Sequence, residues 1–138
     1  VFWRYLPTTM TATTSVGRIA MVAIDVDGTL ASSAGPVTKA YIKALEKQGI
    51  RWGILSSRSQ ERSLAACREL GICPAFVMVC RIDQRAEELR QLKEAYPNEN
   101  IYICIADTER DHREALVAGW DFVFAQDIEK FLAVAGEV

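Results

Sequence analysis

The feature that most constrains the fold is an alternation, from Ile19 onward, of short apolar runs with segments of helical periodicity. This alternation is typical of a parallel sheet covered by helices, because neighbouring parallel strands need long crossover connections. Right-handed crossovers place those helices on both faces of the sheet. We therefore predict an α/β fold, a three-layer α/β/α sandwich around a Rossmann-like, parallel five-stranded sheet.

Apolar periodicity and its flanking caps, glycines and prolines predict where each element lies. The predicted strands span residues 19–25, 50–55, 75–79, 101–105 and 122–124. The first predicted helix opens at Pro36 and ends at Gly49, and the second is capped by Ser59 and closes at Gly71. A third is capped by Asp83 and stops before Pro97, and the last two span residues 109–118 and 128–135.

The length and composition fit one domain that is preceded by a short arm. A chain of 138 residues is long enough for one substantial core, which we assign to residues 19–138. Residues 1–18 form an N-terminal arm, expected to be disordered or to act as a docking element. The aromatic opening segment is broken by Arg4 and Pro7, so we do not expect it to be a signal peptide.

Charge and cysteine content exclude several classes of function. A net charge of −2 gives no reason to expect nucleic-acid binding through bulk electrostatics. Four cysteines without a CxxC pair, and a single histidine, argue against a zinc site. Cys80 and Cys104 lie in or beside apolar runs, which favours reduced, buried thiols and a cytoplasmic location. No apolar run reaches the roughly 18 residues of a membrane span.

Two carboxylates follow the first predicted strand, one residue apart. Asp25 ends the apolar run and Asp27 comes just before Gly28, so both lie where parallel sheets bind ligands. Carboxylates this close repel each other unless a cation lies between them or one holds a proton. An isolated DxD is more typical of a turn in which one Asp caps a helix, so the pair needs support from elsewhere in the chain.

Polar residues also follow the second and fourth predicted strands. The run SSRS occupies positions 56–59, and DTERD occupies positions 107–111. Each run alone is more typical of a helix cap or a solvated first turn. Carboxyl ends of parallel strands share one edge, however, so we expect all three groups to converge. Carboxylates with few imidazoles or thiolates favour Mg²⁺, and hydroxyl and amide groups suit phosphate oxygens. The sequence therefore predicts a phosphoryl-transfer site.

These segments resemble motifs of the haloacid dehalogenase-like (HAD) superfamily. The segment IDVDGTL at 24–30 resembles motif one, ILS at 54–56 motif two, and IAD at 105–107 with Asp111 motif four. The resemblance covers nearly everything from Ile19 to the end of the chain. It implies a HAD-like hydrolase, and an Asp at the second motif-one position favours a phosphatase over a dehalogenase, because that Asp can protonate a leaving group.

The resemblance also implies a role for each acid. Asp25 is the nucleophile that forms an aspartyl-phosphate, and Asp27 is the general acid/base that Thr29 helps to orient. The implied cofactor, Mg²⁺, is bound by the side chains of Asp25 and Asp107 and by the backbone carbonyl of Asp27. Asp111 supports this metal site without binding the ion directly.

The third family motif is a Lys, and the matching position here holds Arg85. We expect Arg85 and the hydroxyls of Ser56 and Ser57 to bind the substrate phosphate. Arg85 and Ser56 are also expected to be catalytic residues. Three alternatives remain open: Arg81 or Lys93 reaches the site, the site is impaired, or Arg85 lies on a helix face.

The resemblance is to members of the family without a cap domain. The intervals between Asp27 and Ser56 and after Val79 are too short for an inserted domain, which leaves residues 29–35 as a small flap. An open site suits a macromolecular substrate, either a phosphoprotein or a polynucleotide end. It also suits a phosphorylated small molecule if neighbouring subunits of a homo-oligomer cover the site.

The resulting hypothesis is a Mg²⁺-dependent phosphatase that hydrolyses a phosphate monoester. The alternative is a catalytically impaired scaffold or regulatory subunit. Two departures from the family pattern favour this alternative: Arg85, and Ala106, which stands where the family usually places Gly and is expected to tighten the approach to the metal.

Overall fold

A computed structural model describes residues 19–97 and 101–129 of the chain. The predicted N-terminal arm, and the part of the predicted closing helix after Glu129, lie outside these residues. The strands are β1 (Ile19–Asp25), β2 (Arg51–Ser56), β3 (Val77–Val79), β4 (Ile101–Ala106) and β5 (Asp121–Phe124). The helices are α1 (Lys39–Lys47), α2 (Gln60–Leu70), α3 (Arg85–Ala95) and α4 (Glu109–Val117). Short 3₁₀ turns occupy Ala31–Ser33, Ile82–Gln84 and Ala125–Asp127.

The five strands form one parallel sheet in the order β3-β2-β1-β4-β5, which confirms the predicted α/β fold. β1 lies in the centre, with Asp25 opposite Leu55 of β2 and Ile24 opposite Ile105 of β4. The chain extends the sheet first to one side of β1 and then to the other. The carboxyl end of β1 is therefore the switch point at which open α/β sheets bind ligands.

Two hydrophobic clusters account for the three layers. Side chains of β1 alternate between them: Val22 and Ile24 belong to one cluster, and Met21 and Ala23 to the other. Helices α1 and α2 contribute to the first cluster, and α3 and α4 to the second. The central strand is thus buried on both faces, as its continuous apolar sequence predicts.

Helix α1 begins at Lys39 rather than at Pro36, so its predicted start is wrong. Val37 donates from its backbone N to the Thr29 carbonyl at 2.8 Å, which keeps this segment extended. Thr38 then caps the helix, its Oγ1 accepting from the backbone N of Tyr41 at 3.3 Å. The predicted end near Gly49, which has a φ of +77°, agrees with the structure.

The third helix differs from its prediction in the same way. Asp83 lies within the 3₁₀ turn Ile82–Gln84 and is not the cap of α3. Its Oδ1 instead accepts from Arg81 Nε at 3.1 Å, and this pair is exposed to solvent. The competing side-chain bond takes Asp83 away from the helix backbone, and α3 begins at Arg85.

Strand β3 is shorter than predicted and begins at Val77 instead of Ala75. Ala75 and Phe76 still bond to β2, through Ala75 N to Trp52 O and Ile54 N to Phe76 O, both at 2.9 Å. The backbone before Val77 lies against β2 without the regular ladder, which leaves three residues of strand at this edge.

Two connections matter for access to the carboxyl edge of the sheet. Residues 26–38, between β1 and α1, hold the Ala31–Ser33 turn, which Ser32 ties to α2 through a 2.8 Å bond to the Ala66 carbonyl. Residues 80–84, between β3 and α3, hold the Ile82–Gln84 turn. Neither of these two described connections contains an inserted domain. Within residues 19–97 and 101–129, no helix is both long enough and apolar enough to cross a bilayer.

Candidate active site

The predicted acids converge at the carboxyl edge of the sheet. Asp25 is the last residue of β1, Asp107 follows β4 directly, and Asp111 lies in the first turn of α4. Arg85 is the first residue of α3. Together with neighbouring side chains they line a cavity of about 310 Å³. Its lining residues are Asp25, Asp27, Ser57, Ile82, Arg85, Asp107, Thr108, Arg110 and Asp111.

Three of these acids form a cluster that suits a cation. Carboxylate oxygens of Asp25, Asp107 and Asp111 all lie within 4.8 Å of one another. Asp25 and Asp111 are buried, whereas Asp107 is exposed. Burial raises the pKa of Asp25 to about 7, Arg85 opposes this rise, and Asp111 adds to it. A hard divalent cation would favour the ionised form of Asp25 and offset the repulsion within the cluster.

Gly28 makes room for one member of this cluster. A Cβ at this position would lie 2.1 Å from Asp107 Oδ2, so any side chain here would displace the carboxylate. Its φ of +71° is also a conformation that favours glycine. The missing Cβ thus leaves room for the Asp107 carboxylate beside Asp25. The resulting set of oxygen donors fits Mg²⁺, which prefers oxygen ligands and commonly binds one or two carboxylates.

Arg85 is buried inside the site and does not lie on an exposed helix face. Its side chain is 2% exposed, and Nη1 donates to Asp111 Oδ1 and lies 3.6 Å from Asp25 Oδ1. Nη2 donates to Ser57 Oγ at 3.5 Å. The guanidinium therefore supplies positive charge to the acidic cluster from the α3 side of the cavity.

The two other candidate cations for this role lie elsewhere. Arg81 is 74% exposed and pairs with Asp83. Lys93 lies in the last turn of α3, at the opposite end of the helix from Arg85, and its Nζ donates to the Gly119 carbonyl at 2.9 Å. The structure thus brings Arg85, and neither alternative, to the acids.

Asp111 is fixed by its own helix. Thr108 is the N-cap of α4, and its Oγ1 accepts from the Asp111 backbone N at 3.1 Å and donates to Asp111 Oδ2 at 2.6 Å. Its other oxygen, Oδ1, accepts from Arg85. Both oxygens are therefore engaged within the protein. The predicted role of Asp111, which is to support the metal site without binding the ion directly, stays a prediction.

The two serines after β2 have different surroundings. Ser56 is buried, and its Oγ accepts from the backbone N of Arg58 at 2.9 Å. Ser57 contributes to the cavity wall, whereas Ser56 does not. The structure thus places the Ser57 hydroxyl on the open side of the site and the Ser56 hydroxyl beneath it. Their predicted phosphate-binding roles stay predictions.

Asp27 and Thr29 do not contact each other through any hydrogen bond in the described residues. Asp27 is exposed, lines the cavity, and forms an ion pair through Oδ1 with Nη2 of Arg58. Thr29 is fully buried, and its Oγ1 has no hydrogen-bond partner within the part of the chain that the structure describes. Its predicted role in orienting Asp27 stays a prediction.

Sequence reasoning missed two arginines at this site. One is Arg58, which forms an ion pair with Asp27. The other is Arg110, which lines the cavity and whose Nε lies 3.6 Å from Glu114 Oε2. Both stand inside the polar runs that follow β2 and β4, and this position in the chain is the signal that could have identified them.

Ala106 lies away from the cavity wall. It ends β4 opposite Phe124 of β5, is fully buried, and belongs to the hydrophobic cluster that α3 and α4 cover. Its methyl group therefore packs in the core and does not line the site.

A family model described as haloacid dehalogenase-like hydrolase matches residues 22–131. The chain belongs to this family of hydrolases, which confirms the predicted superfamily and the expectation of an enzyme. A search of curated proteins gives no match.

Solved structures show the same fold. One is the core domain of a protein assigned as a phosphoglycolate phosphatase from Streptococcus pneumoniae TIGR4, with a TM-score of 0.62 and 17% identity over 80% of this chain and 82% of that one. Another is the 3-deoxy-D-manno-octulosonate 8-phosphate phosphatase of Moraxella catarrhalis, solved with magnesium, phosphate and KDO. Its TM-score is 0.51, with 22% identity over 73% of this chain and 64% of that one. A hypothetical protein from Xanthomonas campestris has a TM-score of 0.55, with 18% identity over 89% and 86% of the two chains.

Proposed function

We propose that the chain is a Mg²⁺-dependent phosphatase that hydrolyses phosphate monoesters through an aspartyl-phosphate on Asp25. The observation that carries the proposal is the position of Asp25. This buried carboxylate ends the central strand, lies 3.6 Å from the Arg85 guanidinium, and faces a cavity that Asp27 also lines. Membership of a hydrolase family supports the same activity.

In the first step, a carboxylate oxygen of Asp25 attacks the phosphorus of the ester. The bond between phosphorus and the leaving-group oxygen breaks, and Asp27 transfers a proton to that oxygen. Asp27 is suited to this role because it is exposed and lines the cavity, whereas Asp25 is buried. Arg85 and Ser57 donate hydrogen bonds toward the phosphoryl oxygens and stabilise their charge.

In the second step, a water molecule attacks the phosphorus of the aspartyl-phosphate. Asp27, which has given up its proton, now accepts one from this water, and inorganic phosphate leaves with Asp25 restored. Asp25 and Asp107 side chains and the Asp27 backbone carbonyl would hold Mg²⁺, with Asp111 in support. When bound, the ion supplies positive charge that keeps Asp25 ionised and offsets the charge of the phosphate.

We assign a phosphorylated small molecule as the substrate class. Two proteins of similar fold carry names that refer to small phosphate esters, phosphoglycolate and 3-deoxy-D-manno-octulosonate 8-phosphate. The connections after β1 and β3 hold only short turns, which supports a capless enzyme. We propose that neighbouring subunits of a homo-oligomer cover its open site. A cytoplasmic location suits reduced cysteines and a metabolite substrate.

The decisive experiment measures hydrolysis of 4-nitrophenyl phosphate with Mg²⁺, with EDTA, and by the Asp25→Asn variant. We expect turnover that EDTA removes, that added Mg²⁺ restores, and that Asp25→Asn abolishes. Asp83→Asn is the matched control, because it neutralises an exposed acid outside the cavity. A phosphoryl group on Asp25, detected by mass spectrometry after acid quenching, would establish the intermediate.

A panel of phosphometabolites, phosphopeptides and phosphorylated oligonucleotide ends then assigns the substrate class. Preference for a small ester supports the assignment, and preference for a peptide or oligonucleotide overturns it while leaving the phosphatase chemistry intact. Failure of every member of the panel, together with the chromogenic ester, favours a scaffold or regulatory subunit.

A further inference from the structure

Arg58 contacts the side chain to which the proposed mechanism assigns acid/base catalysis. Its Nη2 forms an ion pair with Asp27 Oδ1. β1 and β2 are parallel neighbours with Asp25 opposite Leu55, so the residues that follow the two strands lie side by side. Within residues 19–97 and 101–129, the structure shows no other ion pair of the Asp27 carboxylate.

The backbone that carries Arg58 is fixed by two hydrogen bonds. Its own N donates to the buried hydroxyl of Ser56 at 2.9 Å. The next residue, Ser59, caps α2 by accepting from the backbone N of Arg62 at 3.2 Å. The guanidinium therefore reaches Asp27 from an anchored position.

A purely structural reason for the Arg58–Asp27 pair is weak. The two side chains are 37% and 58% exposed, and a pair this exposed contributes only about 0–1 kcal/mol to stability. Thr29, the residue expected to orient Asp27, makes no hydrogen bond through Oγ1 in the described part of the chain. In the described residues, the side chain that contacts the Asp27 carboxylate is therefore Arg58 and not Thr29.

We infer that Arg58 is a positioning residue that holds the Asp27 carboxyl group beside the leaving-group oxygen. The inference rests on the proposed phosphatase function. In the described residues Arg58 contacts Asp27 through Oδ1. When Asp27 is protonated for the first step, its proton therefore lies on Oδ2 and passes to the leaving oxygen as the P–O bond breaks. Arg58 does not touch the reacting atoms, but a misplacement of about 1 Å can cost on the order of a hundredfold in rate.

The test compares kcat/KM for two esters, since kcat/KM covers the steps up to leaving-group departure. An alkyl phosphate has a poor leaving group that needs a proton, whereas 2,4-dinitrophenyl phosphate has one that does not. We expect Arg58→Ala to lower kcat/KM about thirtyfold for the alkyl ester and less than about threefold for the dinitrophenyl ester. Arg58→Lys should recover part of the loss, because it restores a cation at the same position.

A double-mutant cycle shows whether Arg58 acts through Asp27. Asp27→Ala should give the same selective loss, but larger, and adding Arg58→Ala should lower kcat/KM no further. Arg62→Ala is the matched control, because Arg62 is an exposed arginine on the adjoining α2 and does not line the cavity. Its kinetics should equal those of the wild type, and thermal unfolding should show that all variants fold.

Equal losses for the two esters would overturn the inference, since they would indicate that Arg58 binds substrate. Additive losses in the double variant would overturn it too, since the residues would then act independently. Either result leaves the phosphatase proposal standing. A wild-type protein that with Mg²⁺ hydrolyses neither ester, nor any member of the panel of phosphometabolites, phosphopeptides and phosphorylated oligonucleotide ends, would overturn both proposals.

Discussion

Arg85 and Asp111 form an ion pair in which the side chains are only 2% and 4% exposed. It joins the first turn of α3 to the first turn of α4, in the wall of the cavity that Asp25 also lines. Breaking a buried pair by removing one partner leaves an uncompensated charge and costs about 3–5 kcal/mol. The site and the packing of these two helices therefore depend on the same contact.

Neutralising Asp111 should destabilise the fold. We expect Asp111→Asn to lower the free energy of unfolding by about 3 kcal/mol, the low end for a broken buried pair, because Asp25 stays within reach of Arg85. Urea unfolding followed by circular dichroism measures this change. Asp83→Asn, which breaks an exposed pair with Arg81, should change stability by less than about 1 kcal/mol. Equal effects of the two substitutions would contradict the prediction.

Arg85 variants test whether charge at this position is what catalysis needs. Arg85→Lys should keep kcat/KM within about tenfold of the wild type, whereas Arg85→Ala should lower it about a hundredfold or more. The ammonium can still offset the charge of Asp25 and of the phosphate, and a methyl group cannot. Steady-state kinetics with 4-nitrophenyl phosphate measures both. Arg90→Ala is the control, because Arg90 pairs with Glu87 and Glu94 on the exposed face of the same helix. An unchanged rate for Arg85→Ala would remove Arg85 from the site.

A side chain at Gly28 should impair metal binding more than folding. In Gly28→Ala the added Cβ would lie 2.1 Å from Asp107 Oδ2 and displace this predicted ligand. We expect Mg²⁺ to stabilise the variant much less than the wild type in thermal unfolding. Gly71→Ala shares the strain of a positive φ, here +75°, but meets only the flexible end of Lys39 at 3.2 Å. Its response to Mg²⁺ should match that of the wild type, and a parallel loss would show that backbone strain is responsible.

The topology and the acids were predictable because they depend on periodicity and chain order. An apolar strand followed by Asp25 places that residue at the sheet edge whatever packs nearby, and Asp107 follows β4 for the same reason. The burial of Arg85 was not predictable in this way. Only the packing of α3 against α4 brings its guanidinium to Asp111, 26 positions away in the chain.

The errors in the sequence prediction share a physical cause. Asp83 looks like a cap, but its bond to the Arg81 side chain replaces a bond to the helix backbone. Pro36 looks like a helix start, but Val37 pairs with the Thr29 carbonyl and delays the helix. The contact between Arg58 and Asp27 joins loops that follow two different strands. Local patterns do not specify such tertiary partners.

The four cysteines should differ in reactivity. Cys73 is exposed, whereas Cys67, Cys80 and Cys104 are buried. Burial raises the pKa of Cys67 to about 11 and also raises the pKa values of Cys80 and Cys104. Since the thiolate is the reactive form, Ellman's reagent should label one thiol in the native protein and all four in denaturant. Rapid native labelling of the Cys73→Ser variant would contradict this burial pattern.

The metal-free protein should lose stability through Asp25 as the pH rises. Its pKa of about 7 in the folded state is above the 3.8 of an exposed Asp, so between these values the folded state binds more protons than the unfolded state. The Asp25 contribution is therefore fully present below about pH 4 and lost as the pH passes 7. In Asp25→Asn without metal, the fall in unfolding free energy from pH 5 to pH 8 should be smaller than in the wild type, as measured by urea titrations in EDTA.

Added Mg²⁺ should raise the unfolding free energy of the wild type at pH 8 far more than that of Asp25→Asn, because the ion interacts with the charged carboxylate. Identical pH profiles for the two proteins would show that Asp25 does not hold a proton in the metal-free site.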